Sequence, residues 1–202
     1  MSIPWPSGLV EAIARRRAVI LIGSGVSANA TTVAGDSPPT WGQFLLKAYD
    51  ALNRRVPHIK KAIERYAYLE ACEYLKAEYN VRWVDMVKGA FGVPQYKPGE
   101  IHKAIFDLDC RIIASLNFDK IFENYAISAS EDTVVIKYYY DDDIRQIVAG
   151  TDRYIVKPHG TIDSASRLIF TLAEYANARV RYSQFYELMN ALLHTHTFFC
   201  IG

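Results

Sequence analysis

The sequence has few cysteines, no excess of charge of either sign and no long hydrophobic run. Its three cysteines, Cys72, Cys110 and Cys200, are too few and too scattered for a disulfide framework or a zinc knuckle, so we expect no metal and a reducing, cytoplasmic location. A net charge of +1 gives no reason to expect direct nucleic-acid binding. Apolar runs stay well short of the ~18–20 residues of a membrane span, and we expect no membrane partner.

What the sequence does contain is an ordinary globular composition with several short apolar runs. At 202 residues, 50% of them hydrophobic, the chain suits one domain with a sizeable core. Strand-like runs alternate with helical periodicity, which predicts an α/β, Rossmann-like, doubly wound and mostly parallel sheet. Residues 59–92 keep a helical period without a strand and are expected to form a small helical insert. Further strands are expected at 168–171 and 197–201.

Three short polar signatures each come directly after a run that predicts a buried strand. They are Gly23-Ser24-Gly25-Val26-Ser27 after the run 18–22, Asn117-Phe118-Asp119 after 111–115, and His159-Gly160 after 154–157. In an open parallel sheet, ligands bind in the crevice beyond the carboxyl ends of the strands. We therefore expect these distant segments to converge on one site.

The glycine-rich turn has two competing interpretations. It suits a phosphate group, because glycines let backbone N–H groups approach closely and the following helix N-terminus favours negative charge. It departs from the dinucleotide fingerprint at Ala28, however, and it lacks the lysine of a P-loop. A tight strand-to-helix turn that simply needs glycine explains the pattern equally well.

The other two signatures carry groups suited to water and proton chemistry. Asp119 can stabilise the start of the next helix through the helix dipole, but this does not explain Asn117. An amide at that position can hold a water or a ribose hydroxyl. His159 lies between a proline and a glycine, and a neutral imidazole there can accept a proton from a ribose hydroxyl or a water. A purely structural histidine is the competing interpretation.

In this order, the signatures resemble those of the sirtuin family, which are Gly-Ala-Gly-x-Ser, Thr-x-Asn-x-Asp and His-Gly. The resemblance is closer to the sirtuin-like NAD-hydrolysing domains of bacterial antiphage defence proteins, and it implies one NAD-binding domain over 1–202. Only Cys200 follows His159, so the four-cysteine zinc module of protein-deacylating sirtuins is absent. Those enzymes carry Asp-Phe-Arg in the loop after the glycine turn, whereas this loop ends in Ser37-Pro38-Pro39-Thr40-Trp41 and so resembles the Pro-x-Trp form of the defence-type domains.

The resemblance also implies a role for each matching residue, with NAD as the substrate. Asn117 and His159 would be catalytic, the first positioning the nicotinamide ribose or the attacking water and the second acting as general base. Asp119 would support that part of the NAD site. The NAD phosphates would be held by Gly23, Ser24, Gly25 and Ser27.

The function implied is that of an NAD+ glycohydrolase, which releases nicotinamide and ADP-ribose, acting as the effector of an antiphage defence protein. In the family, the strand at 197–201 leads into a Gly-x-Ser-x-x-Asp segment. We therefore expect a chain truncated after Gly202, a further domain or sensor protein beyond it, and a homo-oligomeric assembly. Two alternatives stay open: an NAD-dependent deacylase or ADP-ribosyl transferase, and a module that senses NAD or ADP-ribose without cleaving it.

Overall fold

The computed structural model describes residues 4–202, which form a parallel sheet with helices on both faces. Its strands are β1 (Ala18–Ile22), β2 (Ile112–Ser115), β3 (Val135–Tyr138), β4 (Tyr154–Lys157) and β5 (Thr197–Ile201). The order across the sheet is β3-β4-β2-β1-β5, and every neighbouring pair is parallel. The expected Rossmann-like α/β class is confirmed.

The helices of the described residues surround this sheet. They are α1 (Ser7–Ala14), α2 (Ser24–Ser27), α3 (Trp41–Ala51), α4 (Pro57–Glu64), α5 (Tyr68–Tyr79), α6 (Trp83–Phe91), α7 (Glu100–Asp107), α8 (Ile121–Ala129), α9 (Gln146–Ala149), α10 (Leu172–Arg181) and α11 (Ser183–Thr195). Short 3-10 helices occur at Asn80–Arg82 and Ile162–Arg167. Within residues 4–202, none of these helices is long and apolar enough to cross a membrane.

Alternate side chains of the buried strands enter two different cores, as the period of two in a strand requires. On one face, Ile20 and Ile113 pack with Ile105 of α7 and Phe122 of α8. On the other face, the core contains side chains of β1, β2 and β4 together with residues of α9, α10 and α11, namely Val19, Ile112, Val156, Ile147, Ala178 and Phe185. Both faces are therefore covered by helices, which is why these strands consist almost entirely of apolar residues.

A third core belongs to the helices inserted between β1 and β2. It is built from α3, α4, α5 and α6 and includes Leu45, Ile59, Leu75 and Trp83. The helical insert therefore begins at Trp41, earlier than the predicted 59, because α3 shares this core. Phe118, from the second signature, is buried in the same core. The insert is thus packed directly against the loop that follows β2.

The prediction of a strand at 168–171 is wrong. Leu168, Ile169 and Phe170 are buried, but they form no strand pairing. Ile169 and Phe170 enter different cores, so this extended segment shows the apolar pattern of a strand without its ladder. Thr171 ends the segment because its hydroxyl accepts a hydrogen bond from the Glu174 N–H and so caps α10, a helix that the sequence did not predict.

Candidate functional site

The site lies at the carboxyl end of β1, between its neighbours β2 and β5. Ile22 and Ser115 are paired in register, so the two strands end at the same level. The Leu116 N–H continues the pairing with a 3.0 Å hydrogen bond to the Ile22 carbonyl. The first two signatures are therefore brought side by side, at the position where doubly wound sheets bind ligands.

The glycine-rich turn allows close packing against the end of β5, and it also presents backbone N–H groups that could bind a ligand. Gly23 directly precedes α2, and its N–H donates to the Ile201 carbonyl at 2.9 Å. A Cβ on Gly25 would lie 2.9 Å from the Gly202 Cα, so a side chain there would collide with the end of β5. The N–H groups of Ser24 and Gly25 lie in the first turn of α2, where backbone donors have no intrahelical partner. Both interpretations of the turn therefore have a structural basis.

A buried hydrogen-bond network joins the first two signatures. The Ser27 hydroxyl donates to Asp119 Oδ2 at 2.7 Å and accepts from Asn117 Nδ2 at 2.8 Å. Asn117 Nδ2 also donates to the Gly23 carbonyl at 2.8 Å, so both of its N–H groups are used. The second Asp119 oxygen accepts from the Ile121 N–H at 3.0 Å, at the start of α8. The network leaves Asn117 Oδ1 as an acceptor for a ligand.

A small hollow of about 20 Å³ lies against this network. Its lining is formed by Ser24, Ser27, Pro38, Pro39, Trp41, Phe91, Leu116, Asn117, Phe118 and Asp119. A hollow of this size has room for roughly one water molecule. A second cavity, a groove of about 740 Å³, shares Phe91 with the hollow and falls within the usual size range of ligand pockets. A dinucleotide cannot enter a hollow of this size unless its lining rearranges.

His159 is held in its neutral form. Its pKa is lowered to about 4, mainly by burial and also by the positive charge of Lys157, whereas a hydrogen bond with the Leu116 backbone acts in the opposite direction. The Tyr175 hydroxyl lies 2.6 Å from His159 Nε2, and burial raises the pKa of Tyr175 to about 12. Tyr175 therefore stays protonated near neutral pH, and its O–H group donates a hydrogen bond to His159 Nε2. An imidazole in this state is a base whose lone pair is engaged by a neighbour.

The structure brings most, but not all, of the predicted residues to one place. Four of the seven predicted residues line the hollow, namely Ser24, Ser27, Asn117 and Asp119. The other three, Gly23, Gly25 and His159, do not line it. His159 reaches the lining through Phe118, and the two ring centroids are 6.3 Å apart. Whether the predicted residues bind NAD or act on it stays a prediction.

The glycine after His159 is required by the backbone. Gly160 has a φ of +85°, and a Cβ there would lie 3.0 Å from the Arg167 carbonyl oxygen. This conformation turns the chain away from β4 immediately after the histidine. The His-Gly pair therefore has a local structural reason in addition to any chemical one.

Several residues at the site were missed from the sequence. Lys157 and Glu123 form a buried ion pair next to the Asn117 loop, Tyr175 contacts His159, and Phe118 joins the loop to the helical insert. A lysine at the end of the apolar run Tyr154–Lys157 was the available signal, because charged residues are rarely buried without a partner. No comparable feature of the sequence indicated that Tyr175 would contact His159.

A comparison with family models gives a match over residues 111–202, to the family described as SIR2-like domain. This part of the chain is similar to a SIR2-like domain. The match covers a little under half of the chain and includes the second and third signatures. A comparison with curated proteins finds no match. This similarity points to NAD-related activity and NAD binding. The described residues hold no group of three or more His, Cys, Asp and Glu side chains that could bind a metal ion.

Proposed function

We propose that this SIR2-like domain is an NAD+ glycohydrolase that uses water to convert NAD+ into nicotinamide and ADP-ribose. The observation that carries the proposal is the fixed amide of Asn117. Because both N–H groups are bound to Gly23 and Ser27, its Oδ1 is presented as an oriented acceptor beside the hollow. Such an acceptor is suited to holding one water or one ribose hydroxyl.

The chemistry assigns one task to each group. The bond between the ribose C1′ and the nicotinamide nitrogen breaks, and nicotinamide leaves with the electron pair. The ribose carbon becomes oxocarbenium-like, and water oriented by Asn117 Oδ1 attacks it. In this proposal the proton lost by that water passes to neutral His159, which must first lose the hydrogen bond from the Tyr175 hydroxyl and come within reach of the water, because it does not line the hollow. The free N–H groups of Ser24 and Gly25 would face the phosphates.

The direct test is to incubate the protein with NAD+ and to quantify nicotinamide and ADP-ribose by chromatography. Asn117→Ala and His159→Gln are each expected to lower turnover by about 100-fold or more, the usual size of a positioned acid–base contribution. Asn190→Ala and His194→Ala are matched controls, because both residues are exposed on α11. Turnover that survives both site substitutions would place the chemistry elsewhere.

The second candidate function is a transfer of ADP-ribose, or a deacylation, with an acceptor other than water. The groove of about 740 Å³ that shares Phe91 with the hollow favours it, because such a reaction needs room for a second substrate. Nicotinamide release that depends on an added acetyl-lysine peptide or protein acceptor would support this candidate. NAD+ binding without any turnover would instead support a sensing module.

We also propose that the activity serves antiphage defence by depleting NAD, in a homo-oligomer located in the cytoplasm. The basis is the resemblance of the three signatures to those defence domains. Cells that express the protein are expected to lose NAD during phage infection, and cells with the Asn117→Ala variant are expected to keep it. Equal NAD levels in the two would contradict the proposed role.

A further inference from the structure

The side chain of Lys157 is buried completely at the end of β4. Its exposed fraction is 0%, although it carries an ammonium group. Removing such a charge from water costs several kcal/mol unless partners compensate for the lost hydration. The partners of Nζ are the Glu123 carboxylate and, at 2.9 Å, the backbone carbonyl of Asp119. A lysine in this position therefore needs an explanation beyond core packing.

Glu123 comes from the first turn of α8 and is 3% exposed. Burial raises the pKa of its carboxyl, and the charge of Lys157 acts against that rise. Its Oε2 atom has no hydrogen-bond partner among the described residues. Buried ion pairs can often be replaced by apolar side chains without loss of stability. Stability alone therefore does not explain why two charges are placed here.

The bond from Lys157 to the Asp119 carbonyl connects two segments of the site. Lys157 lies two residues before His159, on the same strand end. Asp119 lies two residues after Asn117, and its carboxylate holds Ser27, which in turn holds the Asn117 amide. One ammonium group is thus linked to the amide through the chain Lys157, Asp119, Ser27, Asn117.

A second bond strengthens the same connection. The Ile162 N–H donates to the Phe118 carbonyl at 2.9 Å, so the chain after His159 is also tied to the Asn117 loop. This second bond uses only backbone atoms, which any residues could supply. The specific element of the connection is therefore the Lys157 side chain.

We propose that Lys157, held by Glu123, is a positioning residue that fixes the Asn117 amide relative to His159 by clamping the Asp119 carbonyl. Its effect on turnover rests on the proposed NAD hydrolysis, whereas its effect on the Asn117 amide does not. The clamp sets the geometry in which a water held by Asn117 can pass its proton to His159. Lys157 itself touches neither the water nor the substrate.

The test separates a positioning role of Lys157 from a stabilising role by replacing both charged residues of the ion pair with apolar ones. Lys157→Met leaves Glu123 buried and unpaired, and it is expected to lower the midpoint of thermal unfolding. Adding Glu123→Leu removes the second charge and is expected to restore the midpoint to near the wild-type value. The double variant still lacks a donor for the Asp119 carbonyl. We expect its turnover of NAD+ to fall at least 10-fold with a KM within about threefold of wild type.

A readout that does not depend on activity is the NMR signal of the Asn117 side-chain amide. In the wild-type protein its two N–H protons should exchange slowly with solvent, and in the double variant at least 10 times faster. Glu123→Gln is the control, because it leaves the bond from Lys157 to Asp119 in place and should keep the slow exchange. Wild-type exchange rates in a folded double variant would overturn the proposal.

Two further measurements cover the remaining outcomes. If the double variant does not fold, the variant that combines Lys157→Gln with Glu123→Gln replaces it. Because Gln is a neutral donor with a shorter side chain than Lys, the Asn117 N–H protons of this variant should exchange faster than those of the wild-type protein but should keep part of their protection. In the wild-type protein, the Lys157 ammonium protons should be protected enough to give a visible ¹⁵N-linked signal at pH 7, and free exchange with solvent would overturn the clamp. If the wild-type protein does not hydrolyse NAD+, the proposed function fails while the exchange data still decide the role of Lys157.

Discussion

Removal of the Ser27 hydroxyl should destabilise the protein even when no ligand is present. Ser27→Ala deletes a 2.7 Å hydrogen bond to the Asp119 carboxylate and leaves one N–H of the buried Asn117 amide without its acceptor. A bond to a charged group contributes about 1.5–3 kcal/mol, and an unpaired buried donor costs about 1–3 kcal/mol. Allowing for relaxation, we expect a loss of about 2–4 kcal/mol, a large part of the 5–15 kcal/mol typical of a domain.

The assay is urea unfolding followed by circular dichroism, with stability compared at equal m-values. Ser24→Ala is the matched control, because Ser24 lines the same hollow but makes no side-chain hydrogen bond within residues 4–202, and we expect a change within about 0.5 kcal/mol. A hydroxyl reserved for an NAD phosphate would leave the ligand-free protein unaffected. Equal stabilities of the Ser27→Ala and Ser24→Ala variants would therefore refute the network as we describe it.

Three other predictions concern pH, backbone strain and the cover of the hollow. Because the pKa of His159 is about 4 in the folded protein and 6.5 when unperturbed, the unfolded chain binds more protons between these values, and stability falls as the pH falls. His159 should account for a loss of about 2 kcal/mol between pH 7 and pH 5, and His159→Gln should remove that part of the pH dependence of urea unfolding. Gly160→Ala should destabilise by more than Gly35→Ala, since both have positive φ but only Gly160 faces a close carbonyl oxygen; equal losses by thermal unfolding would contradict this. NAD+ binding should change the tryptophan fluorescence of the wild-type protein but not that of Trp41→Phe, because Trp41 lines the hollow; an equal change in both would show that Trp41 does not respond to NAD+.

The sequence was sufficient for the class of fold and for the order of the signatures. Apolar runs such as Ala18–Ile22 predict buried parallel strands because a strand covered on both faces has no polar side. The glycine turn, the Asn117 loop and the His-Gly pair could be placed at strand ends for the same reason. Local periodicity failed at 168–171, where Ile169 and Phe170 are buried in different cores without a neighbouring strand.

The roles within the site required the tertiary structure. Ser27 is 90 residues from Asn117 and 92 from Asp119 in the chain, and no local pattern shows that its hydroxyl bonds both. The contact between Tyr175 and His159 likewise depends on how α10 packs against the end of β4. Such partners are selected by distance and burial, which the sequence does not encode locally.

The sequence by itself indicated the five strands of the sheet, the polar turns at their ends and the resemblance to sirtuins, because each depends on neighbouring residues. Only the tertiary structure decided which polar atoms are already satisfied and which are left for a ligand. Asn117 shows the difference: its amide could be predicted to matter, but the oxygen left for a ligand follows from two distant acceptors that take both N–H groups. The same packing buries Lys157 beneath the loop, where a charge must find its partners within the protein.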